Sequence, residues 1–503
     1  MGQPSVKKNF ILNTMLSLSS IIFPILTNPY INRVLGPAGT GRVGFASSAV
    51  NYFALFASLG IPTYGIRACA KVRDNKALLS KTVLELQAIN LILTFVVYIV
   101  FIPAVFLIPQ FSCDKALMFI LGSTILLSSI GVEFFYKAIE QYRYITVRSL
   151  IFKFIAFIAM YLLVRTENDV VIYGAITIFA ASASNIMNFV HLRKMIVFKG
   201  LGKLNLKQHI GPTITFFAFA CTISIYLNLD RFMLGVMTTR TDVGYYESAT
   251  KIKSVLVALV TSLGAVLYPR VSYYVENKLY DEFYRITAKA LRFVFVISVP
   301  LFVFFTYFAF ESIMVASGLQ FEASVHPMMV IMPTLVLIGI TNIIGFQILL
   351  PLGKEKLVVC STAVGAVVDL ILNFLLIPEY KALGAAIGTL AAEFAVLVVQ
   401  LIFLVKLKNE VPIIQSFKQV HYVKITLATL AGLAVSFGIK LFDLNIPFLE
   451  GKILLYNLTK LAIASVLFFG VYGILMIIFK DEIILEVINL VLKKLHLKKE
   501  TSN

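Results

Sequence analysis

Charged residues are scarce in this chain: they make up 14% of its 503 residues, whereas hydrophobic residues make up 59%. The mean hydropathy of +0.90 is far above that of water-soluble domains. A soluble domain is therefore excluded, and the composition indicates an integral membrane protein. Cysteine is scarce as well. Only Cys69, Cys113, Cys221 and Cys360 occur, scattered singly, so neither a CxxC metal pair nor a disulfide framework is visible.

Motifs for nucleotide hydrolysis and for common hydrolytic chemistry are also absent. The sequence contains no GxxxxGK[ST] phosphate-binding loop, no DxD triplet, no HExxH and no GxSxG. The predicted outer loops are too short to hold a catalytic domain. We therefore expect that the protein is not an enzyme and that it holds no cofactor and no metal.

Long apolar runs recur along the whole chain. Each is close to the ~20 residues that a helix needs to cross the hydrocarbon core, and "ILTFVVYIVFIPAVFLIP" at 92–109 lacks the alternation of a membrane β-strand. We predict an all-α polytopic membrane protein with about 14 transmembrane helices. The predicted spans are 10–31, 43–64, 83–109, 115–136, 148–164, 170–190, 210–229, 243–268, 290–310, 326–350, 357–377, 382–405, 422–441 and 458–479.

Basic residues are distributed unevenly between the predicted loops. With the N-terminus in the cytoplasm, about 31 of the 44 Lys and Arg residues fall on that side and about 10 on the other. The net charge of +18 therefore reports topology rather than a nucleic-acid partner. We expect both termini to be cytoplasmic and no nucleic acid to bind. Lys7 and Lys8 precede an apolar run without a small-residue cleavage site, so we expect the first span to be retained.

A seven-residue phrase of the sequence occurs twice in similar form. "VGFASSA" at 43–49 is answered by "VGYYESA" at 243–249, with further similarity on both sides. Six predicted spans separate the copies, and an even number returns the chain to the same membrane face, so the copies are parallel repeats. Two equivalent lobes that rock against each other would give alternating access, as in a transporter.

The repeat also predicts the domain organisation. Residues 1–204 form an N-lobe of spans one to six, and residues 205–410 form a C-lobe of spans seven to twelve. Residues 411–503 hold the last two spans and a basic amphipathic cytoplasmic tail. That tail, "DEIILEVINLVLKKLHLKK" at 481–499, is expected to lie on anionic lipid.

The two copies differ in charge inside the eighth span. A charge at the bilayer centre costs at least ~2.5 to 3.5 kcal/mol, so such residues normally face a cavity or a partner. Where the first copy has Ser47 and Asn51, the second has Glu247 and Lys251, one helical turn apart on one face. This pair either neutralises itself and holds the helix in place, or binds cargo. Lys253 adds positive charge that one glutamate cannot neutralise, which favours a cavity.

Polar stripes run along the first span and along its counterpart, the seventh. Such stripes either line a wet cavity or form hydrogen bonds between helices. We favour the cavity, because the first stripe leads to Arg33 and the second to Arg231. The predicted cavity residues are Asn28, Arg33, Asn51, Asp230, Arg231, Glu247, Lys251 and Lys253.

Among the other charged residues within predicted spans, three bear on ion coupling or on position in the membrane. Asp369 of the eleventh span and Glu393 of the twelfth have no local basic partner and are candidates for a proton or sodium relay. Coupling to a proton or a sodium gradient therefore stays open. Lys153 of the fifth span is only a turn or two from the predicted cytoplasmic edge, which is close enough for its side chain to snorkel to the surface.

Six stretches, spread over most of the chain, carry a resemblance to a known family. They are "RVLGPAGTGRVGFASSAVNYF" from 33, "FASLGIPTYGIR" from 56, "LDRFMLGVMTTRTDVGYYESATKI" from 229, "YPRVSYY" from 268, "LLPLGKEK" from 349 and "DLILNFLLIPEYKALGAAIGTLAAEF" from 369. Together they resemble the oligosaccharide flippases, the polysaccharide biosynthesis family of the multidrug/oligosaccharidyl-lipid/polysaccharide (MOP) exporter superfamily, and are specific for it. The resemblance implies fourteen helices in two lobes plus a final pair.

The resemblance also implies a cargo and partners. The cargo is an undecaprenyl-diphosphate-linked oligosaccharide repeat unit, moved from the inner to the outer leaflet of the bacterial cytoplasmic membrane for O-antigen, capsule or exopolysaccharide assembly. The implied partners are membrane lipids, the polysaccharide polymerase and the chain-length machinery. A lipid diphosphate is anionic and strongly hydrated, so its route needs a water-filled, cationic cavity.

Three other functions stay open. A multidrug exporter of the same superfamily would favour an acidic cavity for cationic drugs, whereas bases equal or exceed acids inside the spans here. A lipid II flippase is hardly separated from an oligosaccharide flippase by sequence. A membrane glycosyl polymerase or ligase would be expected to carry a long outer loop, and none is predicted.

Overall fold

The computed structural model describes residues 6–198, 200–407, 417, 420–441, 453–486 and 488–489, and within these ranges no strand occurs. The α-helices are α1 (Val6–Ser58), α2 (Ile61–Lys71), α3 (Lys76–Leu107), α4 (Pro109–Ser112), α5 (Lys115–Ile130), α6 (Glu133–Ala138), α7 (Tyr142–Leu163), α8 (Val170–Ile178), α9 (Ser184–Met195), α10 (Lys207–Met237), α11 (Arg240–Glu276), α12 (Tyr280–Tyr307), α13 (Ala309–Ala316), α14 (Val325–Ile331), α15 (Thr334–Asn342), α16 (Glu355–Lys406), α17 (Tyr422–Leu441) and α18 (Ile453–Ile478). Two π-helical turns, Phe179–Ala183 and Ile343–Leu349, and a 3₁₀ segment, Leu319–Ser324, connect some of them.

Many of these helices are long and apolar enough to cross a membrane. Among the described residues ten qualify, or eleven if the bent pair Leu319–Ile331 and Thr334–Leu349, which meet at 47°, is one span. The prediction of an all-α, multi-pass membrane protein is confirmed. The count of 14 helices stays a prediction.

The longest helix, α1, contains a backbone break at Gly36. This glycine has φ 66° and ψ 179°, a conformation that residues with a Cβ atom rarely adopt. Pro37 follows, and a proline disfavours helical geometry in the residue before it. The break lies between the predicted spans 10–31 and 43–64, so the backbone divides α1 where the sequence predicts a boundary between two spans.

The second longest helix, α16, is broken in the same way at Lys381. Its φ of 51° and ψ of −126° interrupt the helix three residues after Pro378. The break lies between the predicted spans 357–377 and 382–405. Sequence and backbone therefore divide this stretch at the same point.

The chain forms two compact units. The first contains the described residues up to Glu247 and also Ile377–Ala382, and the second contains Ser248–Leu376 and the described residues from Leu383 onwards. The boundary falls within α11. The division into lobes at 1–204 and 205–410, with 411–503 beyond them, stays a prediction.

In the first unit α1 packs against α3, α5, α7 and α10. Its contact with α7 is polar at both ends: Thr146 donates to the carbonyl oxygen of Leu12 at 3.1 Å, and Tyr30 donates to that of Val164 at 2.7 Å. A separate apolar core joins α2, α3 and α6, with Ile61, Val83, Phe135 and other side chains fully buried. These contacts hold α1 at the centre of its unit.

In the second unit the last two helices, α17 and α18, pack on each other and on α12. Phe304 and Phe468 are almost fully buried where α12 meets α18. The hydroxyl of Tyr472 donates to the carbonyl oxygen of Val296 at 2.8 Å. The helix pair that lies outside the predicted repeat is thus attached to the first helix after α11.

The start of the predicted amphipathic tail is anchored by buried charge. Arg292 of α12 contacts Asp481, fully buried, at 2.8 Å and Glu482 at 3.0 Å. Asp481 also accepts the backbone N–H of Ile483 at 3.0 Å, which caps the turn that follows. Residues 490–499 of the tail lie outside the described residues.

Candidate functional site

Glu247, which belongs to the repeated phrase at 243–249, forms an ion pair that joins α10 to α11. Arg231 of α10 places its Nε atom 2.5 Å from Oε2 of Glu247 of α11. The side chains are 29% and 14% exposed, so both charges are largely removed from solvent. Glu247 therefore has a basic partner on the neighbouring helix, which a comparison along one helix face could not find.

A second polar contact lies one residue further along the same two helices. Tyr246 donates a hydrogen bond from its hydroxyl to a carboxylate oxygen of Asp230. Both residues are buried. Two adjacent residues of α10 thus contact two adjacent residues of α11.

The first copy of the repeat holds its predicted residues differently. Arg33 is half-buried, and its Nη1 atom donates to the carbonyl oxygen of Pro29 at 2.5 Å. Asn51 donates to the side-chain oxygen of Asn228 on α10 at 3.3 Å, and Asn28 is half-buried on α1. The structure therefore joins the second predicted span, at Asn51, to the polar stripe of the seventh, at Asn228.

The remaining predicted bases of the second copy lie further along α11. Lys251 and Lys253 are half-buried and belong to the second unit. Glu247, one turn earlier, belongs to the first. The predicted cavity residues thus fall in both compact units, and their role as a substrate site stays a prediction.

Lys153 lies deeper in its helix than the sequence suggests. It is the eleventh residue after Tyr142, the first residue of α7, which corresponds to about 16 Å along a helix of 22 residues. Its Nζ atom donates to the hydroxyl of Ser19 at 2.9 Å and to that of Ser20 at 2.8 Å, both on α1. The ammonium group thus faces two neutral hydroxyls of the adjacent helix, and its snorkelling to the membrane surface stays a prediction.

A charge cluster that the sequence gave no reason to single out joins both copies of the repeat. Asp114, almost fully buried, accepts from Nε of Arg42 at 2.6 Å and lies 3.9 Å from Nε of Arg240. Arg240 also donates to the carbonyl oxygen of Gln110 at 2.6 Å and stacks 3.6 Å from the ring centroid of Phe45. The carboxylate of Asp114 thus connects the segment before α5 to Arg42 and Arg240, which precede the two copies of the repeated phrase. The predicted topology assigns this end of the unit to the outer side of the membrane.

Two glycines permit close approach of the two copies at this cluster. A Cβ atom at Gly41 would collide with the backbone of Arg240, and one at Gly244 would collide with the backbone of Pro37. Gly244 belongs to the repeated Val-Gly pair. The glycine that the two phrases share therefore serves close packing, whereas the change from Ser47 to Glu247 introduces charge.

The two candidates for ion coupling lie in the second unit, on either side of the break in α16. Asp369 and Glu393 are buried, at 3% and 2% exposure. A Cβ atom at Gly388 would lie 3.2 Å from a carboxylate oxygen of Asp369, which shows how closely the two legs of α16 approach. In the ranges that the structure describes, no three His, Cys, Asp or Glu side chains are grouped as metal ligands would be.

Comparisons with known proteins find relatives that are named as transporters. The chain is 23% identical over 406 residues to a protein of Escherichia coli strain K12 named as a candidate O-antigen transporter. The alignment covers 79% of this chain and 96% of that relative. A protein of Shigella dysenteriae with the same name is 22% identical over 403 residues, covering 79% and 99% of the two chains.

A solved structure shares the fold. The lipid II flippase MurJ in an inward closed conformation superimposes with a TM-score of 0.64 at 16% identity, covering 92% of this chain and 99% of that one. At this identity the likeness concerns the fold alone.

A family profile gives the firmest assignment. The profile described as polysaccharide biosynthesis protein matches residues 6–275, which is more than half of the chain. This match shows that the chain belongs to the polysaccharide biosynthesis protein family.

Proposed function

We propose that this protein is a flippase for undecaprenyl-diphosphate-linked oligosaccharide repeat units. It moves them from the inner to the outer leaflet of the bacterial cytoplasmic membrane by alternating access, for the assembly of a cell-surface polysaccharide. The names of the relatives support transport. The choice of an anionic cargo is supported by three basic side chains on apolar helices of the first unit, Arg33, Lys153 and Arg231.

These three residues suit a diphosphate for a physical reason. A charge within a membrane span is costly, so a basic residue kept there serves an anionic partner or a structural one. The fixed contacts of Lys153 are neutral hydroxyls, which orient its ammonium group without cancelling its charge. Guanidinium groups match phosphate oxygens in bidentate geometry. Arg231 is oriented for this by Glu247.

The same observations disfavour a multidrug exporter and a glycosyl polymerase or ligase. A multidrug exporter for cationic compounds would face repulsion from these basic residues. A glycosyl polymerase or ligase would have to act on a sugar, whereas the relatives are named as transporters. We therefore propose that the chain has no enzymatic activity of its own.

Lipid II is the second candidate cargo, because it presents the same diphosphate. The MurJ likeness concerns the fold and does not favour this cargo. The oligosaccharide repeat unit is preferred on the names of the two relatives that match along nearly their whole length.

The proposal extends to topology, coupling and partners. Both termini are cytoplasmic, and the lobes 1–204 and 205–410 move relative to each other. Asp369 and Glu393, buried within α16, relay a proton or a sodium ion that drives the cycle. The polysaccharide polymerase and the chain-length machinery receive the cargo at the outer leaflet.

Complementation of a deletion strain tests the role of positive charge. We expect Arg33→Ala, Arg231→Ala and Lys251→Ala each to reduce surface polysaccharide at unchanged protein level, because an anionic headgroup must be held where water is scarce. Arg285→Ala is the matched control, since this side chain is 81% exposed and pairs with Glu282 at the surface. Full complementation by all three variants would show that the cationic residues do not serve the cargo.

A further inference from the structure

A separate polar pocket lies in the first unit, at the end that the predicted topology assigns to the cytoplasm. Its volume is about 360 Å³, and it opens between α2, the start of α3 and the start of α10. Lys71 and Lys81 line its wall, and Glu85 and His209 form its base. None of these residues belongs to the set predicted to bind cargo.

The base of the pocket is a fully connected polar chain. Glu85, at 1% exposure, accepts the backbone N–H of Asn205 at 2.7 Å and the side-chain N–H of Gln208 at 2.8 Å. Its second oxygen also lies 2.9 Å from Nε2 of His209, whose Nδ1 lies 2.9 Å from the hydroxyl of Tyr64. The carboxylate is thus occupied by donors on both oxygens, and it holds the start of α10 against α3.

The wall of the pocket, in contrast, carries two basic side chains, Lys71 and Lys81. Among the residues that the structure describes, neither Lys71 nor Lys81 has a hydrogen bond or an ion pair. Lys71 is exposed and Lys81 is half-buried. The side chains of Val72 and Leu78 add an apolar part to the same wall. Two ammonium groups beside an apolar surface, above a carboxylate already paired, form a site for an amphipathic anion.

We propose that this pocket binds the phosphate-bearing headgroup of an anionic lipid of the inner leaflet. Basic pockets between helices on the cytoplasmic side of membrane proteins hold such headgroups, and that leaflet attracts basic residues electrostatically. Lys71 and Lys81 donate to the phosphate oxygens, and the apolar wall contacts the glycerol and the first methylenes. The site lies beside the link into α10, so bound lipid fastens the start of the second repeat to the first. This inference does not depend on the identity of the cargo.

Native mass spectrometry of the purified full-length protein tests the site. The protein is titrated with phosphatidylglycerol and, separately, with phosphatidylcholine. We expect Lys71→Gln with Lys81→Gln to weaken phosphatidylglycerol binding by about tenfold or more, because two charge-assisted hydrogen bonds are lost. The matched control, Lys76→Gln with Lys203→Gln, removes the same charge from exposed positions that do not line the pocket. We expect it to change binding by less than about twofold, because exposed charges are screened.

Inorganic phosphate separates a lipid headgroup from a soluble ion of the same chemistry. We expect millimolar phosphate to leave the tightest phosphatidylglycerol adduct in place, because the ion lacks contacts to the apolar wall. Phosphate binding that depends on both lysines, without preference for phosphatidylglycerol over phosphatidylcholine, would overturn the lipid assignment. An equal loss in the pocket variant and the control variant would overturn the site itself.

Discussion

Replacing Glu247 by serine tests how the charged face of α11 is held. The change copies the first repeat, where Ser47 stands at the equivalent position. It leaves the Arg231 guanidinium, 29% exposed, without the carboxylate that lies 2.5 Å away. We expect Glu247→Ser to destabilise the first unit and to reduce transport.

The magnitude follows from burial. Removing one partner of a fully buried ion pair costs about 3–5 kcal/mol, whereas an exposed pair contributes less than about 1 kcal/mol. The Arg231–Glu247 pair lies between these limits, so we expect a loss of roughly 2 kcal/mol. In a unit of this size that corresponds to a fall in Tm of about 4–8 °C. Changing Arg231→Met as well removes the unpaired charge and should restore most of this loss.

A double-mutant cycle with two readouts checks both parts of the prediction. The chain has no tryptophan, so unfolding in detergent is followed with a thiol-reactive dye that reports the fully buried Cys69. We expect Tm to recover in the doubly substituted protein while transport stays low, because the base that faces the cargo is gone. Additive losses of Tm would show that the two side chains are not coupled. Full transport by the double variant would show that the pair is scaffolding.

Three further substitutions separate structural charges from functional ones. Asp114→Asn should lower Tm by several degrees, because Arg42 and Arg240 lose their shared carboxylate. Asp74→Asn, at an exposed position, should leave Tm unchanged, and equal effects of the two substitutions would contradict the cluster. Lys153→Met should abolish transport in the flipping assay, and it should not lower Tm, because it removes a costly charge from the middle of the helix. A lowered Tm with normal transport would show that this lysine is structural. Asp481→Asn should lower Tm by breaking a buried pair, whereas Glu486→Gln, which breaks a half-exposed one, should have little effect; the reverse order would refute the anchoring of the tail.

The division of the chain into helices could largely be predicted from the sequence. Apolar length and turn residues indicated the boundaries between the predicted spans, and the breaks at Gly36 and Lys381 fall between two of them. The start of α7 at Tyr142 was missed, because polar residues precede its apolar run.

The partners of the charged residues could not be predicted in the same way. Spacing along one helix indicated Lys251 as a neighbour of Glu247, and it did not indicate the contact with Arg231, which crosses from one helix to the next. Asp114 lies in a short connection, where a carboxylate is usually solvated, and only the fold brings Arg42 and Arg240 to it. Glu85 and His209 are separated by 124 positions in sequence. Long-range pairs of this kind depend on packing, which a single sequence does not report.

Reconstituted flipping is the most direct measurement of the central claim. The purified protein is placed in vesicles with a fluorescent undecaprenyl-diphosphate-linked oligosaccharide, and a membrane-impermeant quencher reports which leaflet holds the label. We expect the protein to speed transfer between leaflets, and Lys153→Met with Arg231→Ala to abolish that gain, because the anionic headgroup then loses two cationic contacts. No transfer above that of protein-free vesicles, or equal transfer by the wild-type and substituted proteins, would contradict the account.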